Sequence, residues 1–408
     1  MPPRSKAEFL LDRVGGGGQS WLRDKGDRCD PRRRSNEVKA KVAALKTAPQ
    51  TVVADYGRLM RLAEYDRALD RNRDTLIKVN ISWHRYFPAC STQPWQYDGV
   101  VTTLLADGFK RERIIPAHNR TVVVNAKKGI INNHLNTVDY KHGLTPVHLY
   151  EPPVQWEVYK PKGRFRVLDK VYPDGVKIPT FFVGKNIIHL PTIKTHVFTT
   201  ITGAMKNAFG GLLSERRHWT HSVIHETLVD LLMIQKEIHP GILAVMDGTI
   251  VGDGPGPRAM IPSVQGYILA GADQVAIDAV SAKMQGFDPM SLAFIRLAHE
   301  DGLGVGDPRE IEIVGEDISN VNFHHQQNAQ TFASRGQHLI YHGWLKPFEK
   351  ILLRSFLVPW SYVASRLYHD FYWYPFVGRR RVSEILRTEW GRLFEQYELE
   401  SHRQNHRK

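Results

Sequence analysis

The chain is poor in cysteine, with only Cys29 and Cys90 among its 408 residues. Two thiols cannot build a disulfide framework or a cysteine-rich zinc site, and an iron–sulfur cluster needs more thiolates. We therefore expect no iron–sulfur cluster in this chain and a reducing, cytoplasmic setting.

Long apolar runs are missing as well. Phe9-Leu10-Leu11 is far shorter than the apolar core of a secretion signal. Between residues 341 and 397, Arg354, Pro359 and Asp370 interrupt the apolar runs, which stay below the roughly 18 residues of a spanning helix. The sequence therefore predicts neither export nor a transmembrane segment.

Acidic residues are too few to balance the basic ones: 42 Asp and Glu stand against 55 Lys and Arg, which leaves a net charge of +13. This excess favours contact with phosphates, anionic lipids or acidic metabolites. No helix-turn-helix, zinc-finger or RNA-recognition motif accompanies it, so we do not expect a nucleic-acid partner. The ordinary share of hydrophobic residues, 42%, excludes wholesale disorder.

Three regions can be distinguished along the chain. Residues 1–50, with a run of glycines at 15–18, indicate a flexible basic arm with a short helix near residues 37–46. Residues 51–320 alternate short β-rich runs with longer helical runs, which is typical of an α/β core with a largely parallel sheet flanked by helices. Residues 321–408 are expected to form a helical, aromatic and basic C-terminal extension.

Polar segments follow several predicted strands, and ligands of open α/β sheets bind at the carboxyl ends of strands. One strand leads into Asn80, and another leads into residues 194–211, which hold threonine hydroxyls, glycines, Lys194, His196 and Lys206. These groups suit a phosphate or a carboxylate. The spacing of a Walker loop is absent. A threonine-rich helix cap with exposed lysines is the alternative interpretation.

Acidic and histidine side chains raise the question of a metal. Asp247 follows the strand predicted at residues 242–246, and Asp253 lies in a glycine-rich loop; with Asp278 they offer oxygen ligands for a divalent cation, or groups that orient a sugar or amine. Acids that cap backbone amides are the alternative. His218, His221 and His225 share a helical face, but their order differs from the zincin motif, so we favour a structural or substrate-gating role.

The C-terminal extension interleaves aromatic and basic residues from 341 to 397. Trp and Tyr beside Lys and Arg, followed by the run Arg379–Arg381, are typical of a helix lying on a membrane surface. Aromatic stripes at helical spacing are also common where a helix packs on its own domain or on a second copy of the chain. Both interpretations remain open at this point.

These motifs resemble the family catalogued as domain of unknown function 362, over roughly residues 73–289. The resemblance rests on the following blocks: Lys78-Val79-Asn80, Thr92-Gln93-Pro94, Lys194-Thr195-His196, Gly203-Ala204-Met205-Lys206-Asn207, Asp247, Gly252-Asp253-Gly254-Pro255 and Ala270-Gly271-Ala272-Asp273 through Asp278.

The resemblance implies where the site lies and leaves the reaction undefined. The block from Thr200 through Gly203 to Lys206 is also similar to a cofactor-contacting segment of the nickel-pincer lactate racemase group, which implies a related α/β domain and a bound anion. This chain departs from many relatives in two ways: it lacks a cysteine-rich ferredoxin segment, and Val251 stands where many have glutamate.

The resulting hypothesis is an enzyme or cofactor-handling protein that binds a small anionic metabolite. Its predicted catalytic residues are His196, Lys206 and Lys194, with His196 as the acid–base group. The remaining expected site residues are the ligand-binding Lys78, Asn80, Thr92, Thr202, Gly203, Asn207 and Gly254 and the metal-binding Asp247, Asp253 and Asp278. The alternative is a non-catalytic membrane-peripheral or scaffold protein that acts through residues 341–397, by contact with a membrane surface or with a second copy.

Overall fold

The structure is a computed structural model that describes residues 40–120, 124–326 and 366–405, together with Gly343, Lys346 and Val363. The predicted arm up to residue 39 and most of the segment between 327 and 365 lie outside the described residues. The described residues belong to one unit of the chain, Val38–Lys408.

Twelve strands occur within the described residues, and ten of them form one sheet. In chain order they are β1 (Ala40–Lys46), β2 (Thr75–Val79), β3 (Ile114–His118), β4 (Val147–His148), β5 (Trp156–Val158), β6 (Lys177–Pro179), β7 (Asn186–Leu190), β8 (Thr192–His196), β9 (Thr200–Thr202), β10 (Ile242–Asp253), β11 (Ile261–Gly271) and β12 (Ile311–Gly315).

The helices cover both faces of this sheet. They are α1 (Val52–Leu62), α2 (Tyr65–Ala68), α3 (Pro94–Ala106), α4 (Ala126–Asn132), α5 (Leu135–His142), α6 (Leu168–Val171), α7 (Ala204–Leu212), α8 (Ile224–Ile238), α9 (Gln274–Gln285), α10 (Ala293–Glu300), a π-helix (Leu367–Gly378), α11 (Arg379–Leu386) and α12 (Glu389–Asn405).

The sheet is largely parallel, which confirms the predicted fold class. Its main path runs β12-β1-β11-β10-β7-β2-β3-β4, with β8 beside β10 and β9 beside β8. The strands β10, β7, β2, β3 and β4 are parallel neighbours, while β11 runs antiparallel to both β1 and β10. Parallel strands place their carboxyl ends at one edge of a sheet.

Two hydrophobic cores lie on opposite faces of the sheet. Leu76 and Ile187 belong to the core that also holds side chains of α7, α8, α9 and α10. The next residues along each strand, Ile77 and Ile188, belong to the core formed with α1, α3 and the C-terminal helices. This alternation follows from the two-residue period of a strand.

The short helix predicted near residues 37–46 is wrong, because residues 40–46 form β1. This strand pairs with β11 on one side and β12 on the other. Val42, Ala43 and Ala44 are fully buried. Burial between two neighbouring strands overrides the weak helical preference of the alanine- and lysine-rich sequence.

The described part of the C-terminal extension is helical and packs on the core. The Trp390 ring lies 5.2 Å from that of Trp95, and the Tyr397 hydroxyl donates to Asp98 at 2.8 Å. Trp83 Nε1 donates to Asp370 at 2.7 Å. Within the described ranges, no helix has the length and apolar character needed to cross a bilayer.

Candidate functional site

The carboxyl edge of the parallel strands collects basic and polar side chains. Lys78 and Asn80 lie at the end of β2, and His118 is the last residue of β3. The strand β8 brings Lys194 and His196 to the same region, since Lys194 Nζ donates to Asn80 Oδ1 at 2.6 Å. The predicted convergence of these residues is therefore observed.

Lys206 lies in the first turn of α7 and has little to bind within the protein. Its Nζ lies 4.9 Å from the centre of the Phe209 ring and makes no hydrogen bond or ion pair with any residue that the structure describes. Partial burial, together with the charges of Arg217 and Lys194, lowers the pKa of Lys206 to about 7. This amine can therefore gain or lose a proton near neutral pH.

Lys78 is a second amine beside α7, and unlike Lys206 it is buried. Its Nζ donates to the Val79 carbonyl at 2.5 Å, and its own carbonyl accepts from Asn207 Nδ2 at 2.8 Å. Burial, aided by the charge of Arg217, lowers the pKa of Lys78 to about 7. The predicted ligand residue Asn207 thus fixes the β2 backbone against α7.

His196 is held as a neutral imidazole. Its Nδ1 accepts a hydrogen bond from the Phe198 backbone N–H at 3.1 Å. The ring proton of the neutral imidazole is therefore on Nε2. Burial, and then the charge of Lys206, holds the pKa of His196 well below its ordinary value. A neutral ring in this tautomer donates a hydrogen bond from Nε2, which differs from the acid–base role predicted for it.

Lys194 contrasts with Lys206, although both were predicted to be catalytic. Its side chain is fully buried, and Nζ donates to Asn80 Oδ1, the Cys90 carbonyl and the Thr192 hydroxyl at 2.6 to 2.9 Å. An ammonium group has three donors, and all three are used. Lys194 therefore holds the loops of the site together, with no donor left over for a ligand.

Thr202 carries a polar atom that lacks a partner. It pairs with Lys194 across β8 and β9, is 4% exposed, and its hydroxyl makes no hydrogen bond to the described residues. Buried polar groups are normally satisfied, so an unsatisfied one points to an absent partner. The backbone of Thr200, two residues earlier, has a φ of 63°, which is strained for a β-branched residue.

Gly203 is required by the way in which α7 begins. Asp278 on α9 accepts hydrogen bonds from the backbone N–H groups of Ala204 and Met205, at 2.6 and 3.0 Å. A Cβ atom at residue 203 would lie 2.1 Å from Asp278 Oδ1. Asp278 is therefore a cap for α7, and burial raises its pKa to about 7.

The three aspartates predicted to bind a metal have separate partners. Asp247 is fully buried inside β10, where it accepts from the Tyr56 hydroxyl at 2.7 Å and Trp95 Nε1 at 3.0 Å. Asp253 accepts from the Gln326 backbone N–H. No group of three His, Cys, Asp or Glu side chains among the described residues has the geometry to hold a metal ion.

Asp247 was also expected at the end of a strand, and this placement is wrong. The strand β10 continues through a register shift between Gly248 and Ile250 and pairs with β11 as far as Asp253. The Asp-Gly pair that suggested a turn marks this irregularity inside a long strand. Burial raises the pKa of Asp247 to about 6.

Two predicted ligand residues, Thr92 and Gly254, are occupied by contacts within the protein. The Thr92 hydroxyl accepts from the Asn80 backbone N–H at 2.7 Å and donates to the Leu190 carbonyl at 2.6 Å. Gly254 has a φ of 101°, and its carbonyl accepts from the Thr195 hydroxyl at 2.6 Å. Both residues fix the loops around the site.

The histidines between residues 218 and 225 do not lie on one helix. His218 and His221 belong to a 3-10 segment, Glu215–Val223, while His225 follows the start of α8. The His221 ring lies 5.2 Å from that of Phe198, and burial lowers its pKa to about 3. His221 therefore forms a neutral wall beside Lys206 and His196, and the substrate-gating role stays a prediction.

Sequence reasoning missed His118 and Arg217. Neither ring nitrogen of His118 has a hydrogen-bond partner among the described residues, although the side chain is 1% exposed. Arg217 donates to the carbonyls of Gly210, Leu213 and Arg120. His118 is the last residue of the observed β3, and the sequence pattern did not extend the strand that far. Arg217 directly precedes His218, the first of the three histidines considered as metal ligands.

The charge of this site is one-sided. The charged neighbours that shift the pKa of Lys78 and Lys206 are Arg217 and Lys194, and those of His196 are lysines and histidines. No carboxylate of the described residues acts on any of these three groups. The arrangement can therefore receive an anion.

The sequence profile of the family described as Domain of unknown function (DUF362) matches residues 75–283, about half of the chain. The chain belongs to this family. All site residues from Lys78 to Asp278 fall inside the matched span. The family resemblance found from the motifs is thus confirmed, and the family's description leaves the reaction open.

Two further similarities are limited in extent. A protein of Synechocystis sp. named as thylakoid-associated is 29% identical over 126 residues, which cover 29% of this chain and 37% of that protein. A crystal structure of a Thermotoga maritima protein has a TM-score of 0.34 and 11% identity, over 63% of this chain and 60% of that one. The chain thus spans less than two thirds of either protein.

Proposed function

We propose that the protein binds a small metabolite bearing a carboxylate or phosphate at the carboxyl edge of β2, β3 and β8. Lys206 and Lys78 are its charge partners, and the Thr202 hydroxyl and His196 Nε2–H are hydrogen-bond donors. The observation that carries this proposal is a buried amine, Lys78, and a partly buried one, Lys206, with cationic neighbours and no described carboxylate beside them.

The energetic argument concerns uncompensated charge. Removing an ammonium group from water costs several kcal/mol unless an opposite charge or good hydrogen bonds replace the water. Lys194 has three acceptors, whereas the described residues offer Lys206 only the face of Phe209. A bound anion would supply the missing partner and would return Lys206 and Lys78 to their charged forms.

The chemistry that these groups support is proton transfer beside a carbonyl. An amine whose pKa is about 7 exchanges a proton readily at neutral pH, so Lys206 takes the acid–base role. A neutral imidazole that donates from Nε2 can polarise a carbonyl oxygen, which is the role of His196. We therefore propose an enzyme of this type rather than a binding protein alone.

A titration with simple anions tests the ligand class. Inorganic phosphate, acetate and a dicarboxylate are added to the protein at fixed ionic strength, and heat of binding and thermal unfolding are recorded. At least one anion class is expected to bind and to raise the unfolding temperature. Lys206→Ala should weaken that binding by tenfold or more, because it removes the charge partner.

Lys110→Ala provides the matched control. Lys110 is exposed and precedes β3, at the opposite edge of the sheet, so its removal changes the net charge equally without touching the site. This variant should bind as the parent protein does. The proposal would be refuted if Lys206→Ala and the parent bound the anion with equal affinity, or if no anion class bound to the parent.

We also propose a second role at a membrane surface. It is supported by exposed aromatic side chains on the described part of the C-terminal extension, among them Phe371 and Phe376. The Synechocystis relative, thylakoid-associated by name, points in the same direction. This role is carried by side chains of residues 366–380, and the anion site by Lys206 and Lys78, so each can be tested with its own variants.

A further inference from the structure

We infer that a row of apolar side chains on the π-helix docks the protein on an anionic lipid bilayer; the inference rests on the proposed membrane role and deepens it. Leu367, Phe371, Tyr372 and Phe376 form this row, called here the aromatic ridge. Their exposed fractions are 52%, 69%, 59% and 74%. Large apolar side chains grouped in this way mark interaction surfaces.

The helical form explains why these residues share one side. In an α-helix, with about 100° per residue, residues 367 and 376 would point in opposite directions. Residues 367 to 378 instead form a π-helix, whose i→i+5 bonding gives about 4.4 residues per turn. Spacings of four, five and nine residues then return to nearly the same direction, so the ridge is a product of the π-helix.

The opposite side of the π-helix is anchored on the core. Asp370 and Trp373 are buried, and Asp370 accepts from Trp83 Nε1 at 2.7 Å. The Trp373 ring lies 5.3 Å from that of Phe87, and the Tyr374 hydroxyl donates to the Tyr86 carbonyl. With these contacts in place, the helix cannot turn its ridge inward. The apolar face is held outward.

Basic side chains follow the ridge directly. Arg379 and Arg380 are exposed at the start of α11, and the Arg380 side chain is 85% exposed while it pairs with Glu384. Arg366 is exposed at the other end of the ridge. Aromatic side chains between arginines match the boundary between acyl chains and anionic headgroups.

This charge pattern favours a bilayer over a second copy of the chain. Two copies meeting at their ridges would bring the same arginines together, and like charges across an interface are unfavourable. An anionic headgroup layer instead complements them. The expected mode is shallow contact, with the ridge entering about 5–10 Å into the headgroup region.

Vesicle flotation tests the inference on the full chain. Vesicles of phosphatidylcholine, with and without phosphatidylglycerol, are mixed with the protein and separated on a density gradient. The parent protein should float with the anionic vesicles. Phe371→Ser/Phe376→Ser should lower its partition coefficient by at least tenfold, because two exposed rings no longer enter the bilayer.

Two further variants separate the contributions. Arg379→Gln/Arg380→Gln should weaken binding to anionic vesicles roughly fivefold per arginine and should reduce its dependence on salt. Val158→Ser/Val183→Ser removes side chains that are 47% and 52% exposed elsewhere and should leave flotation unchanged. Thermal unfolding of each variant reports whether the protein is folded.

The outcomes separate the inference from the broader membrane role. If the parent protein floats with neither vesicle, the membrane role and the ridge are both refuted. If it floats and the Phe371→Ser/Phe376→Ser variant floats equally well, the ridge is refuted and the membrane role stands. If the phenylalanine variant changes only the molar mass measured by light scattering, the ridge joins two copies and the lipid inference is wrong.

Discussion

Lys206 and Lys194 were both predicted to be catalytic, but they have different partners in space. Lys194 gives its three N–H groups to Asn80, Cys90 and Thr192, whereas Lys206 has only the ring of Phe209. Fixed acceptors make Lys194 a structural group. The absence of acceptors among the described residues leaves Lys206 poised for a ligand, at a cost to the stability of the empty protein.

This cost leads to a prediction for Lys206→Met. At pH 7 the free energy of unfolding of the variant should be about 1–2 kcal/mol higher than that of the parent, because the variant lacks a partly buried amine with no acceptor among the described residues. Between pH 7 and 10.5 the unfolded chain keeps the Lys206 proton and the folded protein does not, so the parent's stability rises with pH. The variant should lose that part of the rise.

Urea unfolding at pH 7, 8, 9 and 10 measures the Lys206→Met effect. The matched control is Lys110→Met, which removes an exposed lysine and should alter neither the stability at pH 7 nor its slope. A Lys206→Met protein that is less stable than the parent at pH 7 would show that Lys206 has a stabilising partner in the free protein.

The candidate residues could be predicted from the sequence, but their protonation could not. Lys78 and Asn80 lie at the end of one predicted strand, and the segment with His196 and Lys206 follows another; strand ends of a parallel sheet converge. A pKa depends on burial and neighbours that come from distant parts of the chain, such as Arg217 beside Lys78. For that reason the sequence predicts His196 as the acid–base group, whereas the neighbours found in the structure support our proposal that Lys206 takes this role.

At the scale of elements, α7 and α9 are joined by one contact. The Asp278 carboxylate on α9 caps the first turn of α7 and fills the space above Gly203. Neither residue can be understood from its own element. The family motif contains both residues, and the structure supplies a physical reason for their presence together.

A double-mutant cycle tests this contact. Gly203→Ala should cost about 2–3 kcal/mol, because the new Cβ would lie 2.1 Å from Asp278 Oδ1. In the Asp278→Ala background the same change should cost at least 1 kcal/mol less, since the clashing oxygen is gone. Urea unfolding of the four proteins provides the values. Strictly additive costs would mean that the two residues do not interact.

Elements whose ends are marked by neighbouring residues were predicted closely. Elements whose ends depend on pairing with a strand from another part of the chain were not. The run from Gln274 to Gln285 has the sequence pattern of a helix that stops before Gly286, and the observed helix has those bounds, because Asp273 caps its start and Gly286 ends it. The strand predicted at residues 242–246 extends to Asp253, because β11 continues to pair with it beyond Gly248. Pairing between strands leaves little trace in a local pattern.

At the scale of the whole molecule, β1 joins segments that are far apart in sequence. Ala43 lies opposite Ala270 of β11, and Ala40 lies opposite Ile311 of β12. Within the described residues, β12 pairs with β1 alone. The predicted domain boundary at residue 50 would therefore separate β12 from the rest of the sheet, which no local feature of residues 40–46 could indicate.

Two truncated chains test the role of β1. A chain that starts at Val38 keeps β1 and should unfold within about 0.5 kcal/mol of the parent. A chain that starts at Thr51 exposes the buried edge of β11 and leaves β12 unpaired, so it should lose at least 3 kcal/mol or fail to fold. Urea unfolding and gel filtration of both chains provide the comparison.

The chain that starts at Thr51 keeps α1 and the later helices of the described residues. Any loss of stability is therefore due to the removal of β1. If the Thr51 chain were as stable as the parent, β1 would be an appendage and the boundary at residue 50 would be a true domain edge.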